Sequence, residues 1–409
     1  MSVLLLLLFS MLPEPKYDTG AIRRIDGETV RYSDGRIGEL YADRACPCGQ
    51  SDDAAAPATL GHHEFLVIRP VGWDPARPAP TVLHMVLTGG AFGWIDRDGK
   101  YSGKPGTYMG DRERATAAWN RKRIKSVMNL GPRAEWEIGG RSQLAARLRE
   151  RHPDWTFLIP SNCSHDLYAG RGAGADFPRF GWIALVNAIK YVRETSKVSH
   201  MFAEGVSAGG SGCFFLARDL ERALPGSGLR GIVMDSQVHE PAALVALYDA
   251  GKPRDITLPD GRRVQAPCSM PGTPLRVGFG EAALRESASA DIRAGKVAIP
   301  LFHLWNRRDQ AVLCSDEAYG DRLIHGPVAR AIAARNPGGR SMYRRTCVTT
   351  PESTIPCNAH GLLSRDARDE EAGDRDPDYV AEILAWIERL DADRTVWKTK
   401  PPPYGGDSK

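Results

Sequence analysis

The sequence predicts an α/β chain built on a mostly parallel central sheet with helices on both faces. Short β-rich runs alternate with helical patterns along the chain, and the runs are apolar along their whole length. Strands of that kind are buried on both sides, as helical crossovers between parallel neighbours require. A glycine-bracketed turn also joins one of the runs directly to a helical pattern. The strand candidates are Glu64–Arg69, Thr81–Leu87, Trp155–Ile159, Val198–Glu204, Leu229–Met234 and Ala298–Trp305. Pro70 closes the first of them, since proline cannot donate to a ladder.

The helix candidates are Arg141–Arg151, Trp182–Thr195, Gly210–Leu224 and Glu281–Ala294. A last helix has Asp376 as its cap, Pro377 in its first position and a stripe of Val380, Ile383, Leu384, Ile387 and Leu390. The chain before the first strand reads as irregular. The stretches near 90–140 and 240–280 are rich in Gly and Pro and read as loops over a site. The expected organisation is a signal segment at 1–20, one α/β domain over 21–395 and a flexible tail at 396–409.

Apolar residues make up 42% of the 409 and charged residues 25%, so the composition is that of a globular chain. The 54 basic residues nearly balance the 50 acidic ones, which implies neither a nucleic-acid nor a membrane-surface partner. The densest basic stretch, Arg121-Lys-Arg-Ile-Lys125, reads as a solvated face rather than a phosphate site. The apolar run Met1–Leu12 suits the core of a secretory signal and is too short to span a bilayer. A buried strand is the other reading of that run. Export to a secreted or periplasmic location is the expectation.

The eight cysteines are Cys46, Cys48, Cys163, Cys213, Cys268, Cys314, Cys347 and Cys357, an even number that fits an oxidising compartment. Cys46-Pro-Cys48 lacks the second close pair of a zinc ribbon. Cys347 and Cys357 bracket a short Pro-containing loop and are the expected disulfide. Cys163 and Cys213 lie in apolar contexts and read equally as buried thiols.

Gly205-Val-Ser-Ala-Gly209 matches the G-x-S-x-G elbow, with an apolar strand leading in and a helix leading out. Such a turn holds its serine in a strained conformation, and only small residues two positions either side avoid the neighbouring backbone. Ser207 is therefore the candidate nucleophile, projected at the carboxyl end of the sheet over the positive end of a helix. Thr88-Gly-Gly-Ala-Phe-Gly-Trp94 follows the strand Thr81–Leu87. Gly89, Gly90 and Ala91, with the N–H of Ala208, are the candidate oxyanion donors. Phe92 and Trp94 are candidates for the substrate pocket, Trp94 reading almost as well as a core residue.

In hydrolases with such an elbow the acid and then the histidine follow the serine in the chain. His239, His303, His325 and His360 lie downstream. His303 falls within a strand, His325 within a helical stretch, and His239 follows a strand at once. His360, in Cys357-Asn-Ala-His-Gly361, is the candidate base, on a loop after the last strand. Asp309 follows the strand Ala298–Trp305 and is the candidate acid that would orient the imidazole. Asp235, ending the strand after the nucleophile helix, competes for that role.

Together these segments resemble the pectin acetylesterase/Notum family of α/β-hydrolase carboxylesterases. Leu87-Thr-Gly-Gly-Ala-Phe-Gly-Trp94 resembles the family's Gly-Gly-Trp oxyanion segment. Ile159-Pro-Ser-Asn-Cys-Ser-His-Asp-Leu-Tyr-Ala-Gly170 resembles its Pro-Tyr-Cys-x-x-Asp-x-x-x-Gly segment. Glu204-Gly-Val-Ser-Ala-Gly-Gly-Ser211 resembles its Ser-Ala-Gly-Gly elbow, and Asp309 and His360 stand where its acid and base do. Asp166 matches the family's aspartate in the second segment and reads as positioning that loop. The chain departs from the family in having Gly-Gly-Ala-Phe-Gly-Trp for Gly-Gly-Gly-Trp-Cys, and in lacking counterparts of many family cysteines. The resemblance implies an α/β-hydrolase fold and removal of an acyl group, often O-acetyl from a polysaccharide, through an acyl-enzyme without metal or cofactor. The expected partner is an acylated small molecule or polysaccharide, with no nucleic acid and no stable membrane partner. A serine peptidase or acyltransferase on the same triad, and a non-catalytic binding module, are the rival readings.

Overall fold

Hydrogen bonding joins nine strands into one sheet in the computed structural model. It describes residues 16–48, 61–89, 117–126, 142–164, 166–173, 178–236, 239–243, 254–257, 263–266, 286–305, 324–343 and 379–393. The strands are β1 (Ile22–Arg31), β2 (Ile37–Pro47), β3 (His62–Ile68), β4 (Pro80–Leu87), β5 (Thr156–Pro160), β6 (Lys197–Val206), β7 (Leu229–Asp235), β8 (Leu301–Trp305) and β9 (Arg340–Tyr343). Their order across the sheet is β1-β2-β3-β5-β4-β6-β7-β8-β9. The pairs β1–β2, β2–β3 and β3–β5 are antiparallel, and every pair from β5 to β9 is parallel. The helices are α1 (Ala117–Ser126), α2 (Gln143–Arg151), α3 (Gly181–Thr195), α4 (Ala208–Ala223), α5 (Ala288–Arg293), α6 (Gly326–Arg335) and α7 (Tyr379–Ala392).

Side-chain alternation along the parallel strands divides the core in two. Leu83, Met85 and Leu87 of β4, Ala203 of β6 and Met234 of β7 pack with α3, α4, α5 and α6 on one face. Val82 and Val86, Phe202 and Val233 pack with α1, α2 and α7 on the other. Both faces are apolar because both are covered, which is why these strands read as continuous apolar runs. The architecture is that of an α/β hydrolase. The apolar stripe expected in the last helix is buried in α7 as written, with Trp386 added to it. Asp376 and Pro377 lie outside the described residues.

Several sequence expectations are corrected. The chain before the first expected strand is not irregular: β1 and β2 form an antiparallel pair there. Polar residues fill most of β1, an edge strand of which Ile22 alone is buried, so no apolar run marks it. Within 90–140 lies α1, and within 240–280 lies a hairpin pairing Arg254–Thr257 with Arg263–Ala266. The basic stretch on α1 is not merely solvated. Arg121 bonds both Glu64 of β3 and Glu28 of β1, and Lys125 bonds Glu28. The short α5 begins at Ala288, capped by Ser287, whose side chain accepts from the Ala290 N–H. A further strand, β9, follows the one expected to be last.

Cys163 is not a thiol: it is bonded to Cys48, 115 residues away in sequence. Cys213 is a buried free thiol, as is Cys46, and burial pushes both pKa values up. Cys347 and Cys357 lie outside the described residues. The disulfide ties the end of β2 to the segment just beyond β5. Closing so long a loop restricts the unfolded chain by about 5 kcal/mol in the chain-entropy account. A Cys48→Ser/Cys163→Ser double variant should melt several degrees lower and lose any response to dithiothreitol that depends on this bond. An unchanged melting temperature would show that the link contributes nothing.

Candidate active site

Ser207 stands between β6 and α4 with φ 56° and ψ −121°. A non-glycine residue so placed carries strain of about 1–3 kcal/mol and stays there only if its surroundings hold it. They do so by close backbone approach. A Cβ on Gly205 would lie 2.2 Å from the Gly209 carbonyl oxygen, and one on Gly209 would lie 2.0 Å from that of Leu87. The Ser207 N–H donates to the Asp235 carbonyl at 3.0 Å, and its carbonyl accepts from the Gly210 N–H at 2.8 Å. Its side chain caps nothing. The residue is half-buried while Val206 and Ala208 beside it are buried.

Gly89 follows β4 and rests against this turn. A Cβ there would meet the Val206 carbonyl oxygen at 2.9 Å and Ser207 Cβ at 3.1 Å. Ala208 opens α4, where first-turn N–H groups have no intrahelical acceptor. Two of the four expected oxyanion donors thus flank the serine. Gly90, Ala91, Phe92 and Trp94 lie outside the described residues.

The buried pair His84–Glu204, 3.1 Å apart, joins β4 to β6 one residue before Gly205. On the other side of β4, the Tyr168 hydroxyl lies 3.2 Å from the Thr88 carbonyl and 3.3 Å from that of Pro160. Tyr168 and the preceding Leu167 both have positive φ, 61° and 57°. Asp166 fixes that segment: its carboxylate accepts from the Tyr168 N–H at 3.0 Å and from the Gly181 N–H at the start of α3 at 2.9 Å. Asp166 therefore positions its loop, as expected. In the sequence only the nearby Asp and Gly pattern points to Tyr168.

Of the four downstream histidines, three are buried and engaged elsewhere. His239 Nε2 pairs with Glu286 at 3.1 Å, and its ring packs on Phe215 with centroids 4.5 Å apart. His303 bonds Ser341 at 3.1 Å and His325 at 3.2 Å. Burial, with His325 beside it, holds the His303 pKa well below the usual imidazole value. His360 lies outside the described residues. Asp235 ends β7, fully buried, and its carboxylate accepts from the Ser236 hydroxyl at 2.6 Å. Asp309 also lies outside the described residues, four positions beyond the end of β8. Another serine–histidine contact, Ser164 with His63 at 2.7 Å, is buried and has no elbow beneath it.

An ion-pair cluster braces the outer end of α4. Arg218 reaches Asp219, Glu286 and Asp291 at 2.9 to 3.3 Å. Burial pushes the Glu286 carboxyl up, but His239 and Arg218 together pull it down to about 2. A depressed carboxylate contributes stability above its unfolded value, near 4.5, and loses it as the pH falls toward 2. Among the described residues, no group of three or more His, Cys, Asp or Glu could hold a metal ion, and no helix is long and apolar enough to cross a membrane.

No protein-family model matches the chain, and no curated protein does. The resemblance to the pectin acetylesterase/Notum family rests on the four segments alone. Among solved structures the chain is similar to Est1E from Butyrivibrio proteoclasticus at 13% identity and TM-score 0.39, over 85% of this chain and 100% of that one. It is similar to the S-formylglutathione hydrolase from Agrobacterium tumefaciens at 12% identity and TM-score 0.41, over 78% and 89%. The esterase Pf2001 of Pyrococcus furiosus gives 10% identity and TM-score 0.37, over 90% and 92%.

Two outcomes follow. Gly209→Ala should cost about 3 kcal/mol, since the methyl must displace strand backbone; a denaturant titration matching the native protein would contradict the contact. Glu286→Gln should flatten the loss of stability between pH 4.5 and pH 2 by about 1–2 kcal/mol, allowing for a partly solvated carboxylate. An acid limb as steep as before would place the titrating group elsewhere.

Proposed function

We propose that this chain is a serine hydrolase of carboxylic esters that works through an acyl-enzyme intermediate. The Ser207 elbow carries the reading: a strained serine at positive φ, over the open end of a helix, with Gly89 against it. Attack by Ser207 Oγ on the ester carbonyl pushes negative charge onto the carbonyl oxygen. The N–H of Ala208 and the backbone N–H groups of Gly89, Gly90 and Ala91 receive that charge; each such donor contributes about 3–4 kcal/mol to lowering the barrier.

His360 is the base that takes the Ser207 proton, returns it to the leaving alcohol and then activates water. Its support is the engagement of His239, His303 and His325 in other contacts. Asp309 orients His360; Asp235 is the alternative, favoured by its place beside the elbow and disfavoured by the Ser236 hydroxyl on its carboxylate. Phe92 and Trp94 line the acyl pocket. The resemblance to the pectin acetylesterase/Notum family favours acetyl esters of a polysaccharide as substrate. The disulfide accords with a secreted or periplasmic location.

Ser207→Ala should lower hydrolysis of p-nitrophenyl acetate by at least about 10⁴-fold with an unchanged circular-dichroism spectrum. Retained hydrolysis in that variant, or cleavage of peptides in preference to esters by the native protein, would overturn the reading. Asp309→Asn should cost about 10⁴-fold and Asp235→Asn far less; the reverse order would move the acid to β7.

A further inference from the structure

We infer that Asn162 is a specificity-determining residue that binds a hydroxyl group on the alcohol part of the substrate, an inference that rests on Ser207 acting on esters. Asn162 is 1% exposed, and among the described residues neither the nitrogen nor the oxygen of its side chain has a hydrogen-bond partner. A buried amide in that condition bears its full desolvation penalty with nothing in return, and such groups in native proteins call for a reason.

Its place in the sheet supplies one. The β4–β5 register pairs Met85 with Leu158, and carried four residues further it sets Gly89 level with Asn162. The β4–β6 register pairs Leu87 with Gly205, and carried two further it sets Gly89 level with Ser207. Contacts beyond the paired residues agree with both extensions. The Ser161 N–H still bonds the Glu64 carbonyl at 2.9 Å, so the chain beyond β5 keeps its line. The Thr88 and Pro160 carbonyls share the Tyr168 hydroxyl. Gly89 meets Ser207 directly, as described above. Asn162, Gly89 and Ser207 therefore form one row along the carboxyl edge of three adjacent parallel strands. At about 4.8 Å per strand, the Asn162 and Ser207 backbones lie about 10 Å apart. An ester seated at Ser207 and an asparagine side chain span that gap together.

The chemistry of the amide selects the ligand group. Asn162 offers two N–H donors and one carbonyl acceptor. A carbonyl or an oxyanion would use only the donors, and a cation only the acceptor. A hydroxyl donates and accepts, so it satisfies both orphaned atoms. The backbone is also held ready: Cys163 is bonded to Cys48 next door, and the Ser161 hydroxyl accepts from the Glu64 N–H at 3.1 Å. Of the other buried orphans near the elbow, Glu204 Oε1 and His84 Nδ1 belong to a pair that already bonds within itself and packs against Trp155 and Phe157, and Ser211 Oγ lies within α4.

The test replaces Asn162 by leucine, similar in size and without polar atoms, in the full chain. Steady-state kinetics compare p-nitrophenyl acetate with a mono-acetylated methyl xylopyranoside that keeps its other hydroxyls. Asn162→Leu should lower kcat/KM for the sugar ester about 10- to 100-fold, mainly through KM, and leave p-nitrophenyl acetate within about 2-fold. Because the Asn162 side chain makes no hydrogen bond among the described residues, the melting temperature should hold or rise. Equal losses on both esters, no loss on either, a melting temperature lower by more than about 5 °C, or a native enzyme that ignores the sugar ester while cleaving p-nitrophenyl acetate would each overturn the inference. A native protein that cleaves neither ester would instead remove the esterase reading, and this one with it.

Discussion

Backbone crowding at the carboxyl edge of the sheet is the constraint on which the site depends. Gly209 lies so near the Leu87 carbonyl, and Gly205 so near that of Gly209, that neither position tolerates a methyl group. The chain can pass from β6 to α4 only by turning sharply at Ser207, which takes the positive φ as a result. The hydrogen bond from the Ser207 N–H to the Asp235 carbonyl ties the same turn to β7. Three strands thus fix one serine, and none of the three contacts involves a side chain that could move aside.

The rest of the molecule reads as support for that edge. His84 and Glu204 link β4 to β6 within the core, and the Asp166–Tyr168 loop links β4 to β5 above it. Arg218 and its carboxylates hold α4 against the segment that begins at Glu286. The antiparallel strands β1 to β3 extend the sheet on the side away from β7, where α1 is fastened by Arg121 and Lys125 to glutamates on β1 and β3. The strained turn at Ser207 and the unpaired amide of Asn162 are held between these anchors.

How much of this is legible in the sequence depends on burial. The six parallel-sheet and neighbouring strands that the sequence marks are those with both faces covered, so their composition alone identifies them. The pair β1 and β2 escapes because β1, at the edge, is filled with exposed arginines and with Asp26 and Glu28, and carries no apolar run. Strand β9, Arg-Ser-Met-Tyr, is too short to carry a pattern. In α1 the partners of the basic residues are glutamates 57 to 97 positions away, and a charge pattern cannot name them. The Cys48–Cys163 bond is hidden for the same reason. The elbow is legible because it is a local device, written within five residues; the roles proposed for Asp235 and Asp309 depend on which strand end would face the proposed histidine. Asn162 carries no motif, and only its missing partners draw notice.

The central claim is that Ser207 Oγ projects beside backbone N–H donors supplied by α4 and the end of β4. A crystal structure of the protein inactivated with a fluorophosphonate measures this most directly. The account predicts phosphorus bonded to Ser207 Oγ, with the phosphonyl oxygen within hydrogen-bond distance of the Ala208 N–H. An adduct on another residue, or a phosphonyl oxygen turned to solvent away from both Ala208 and Gly89, would contradict it.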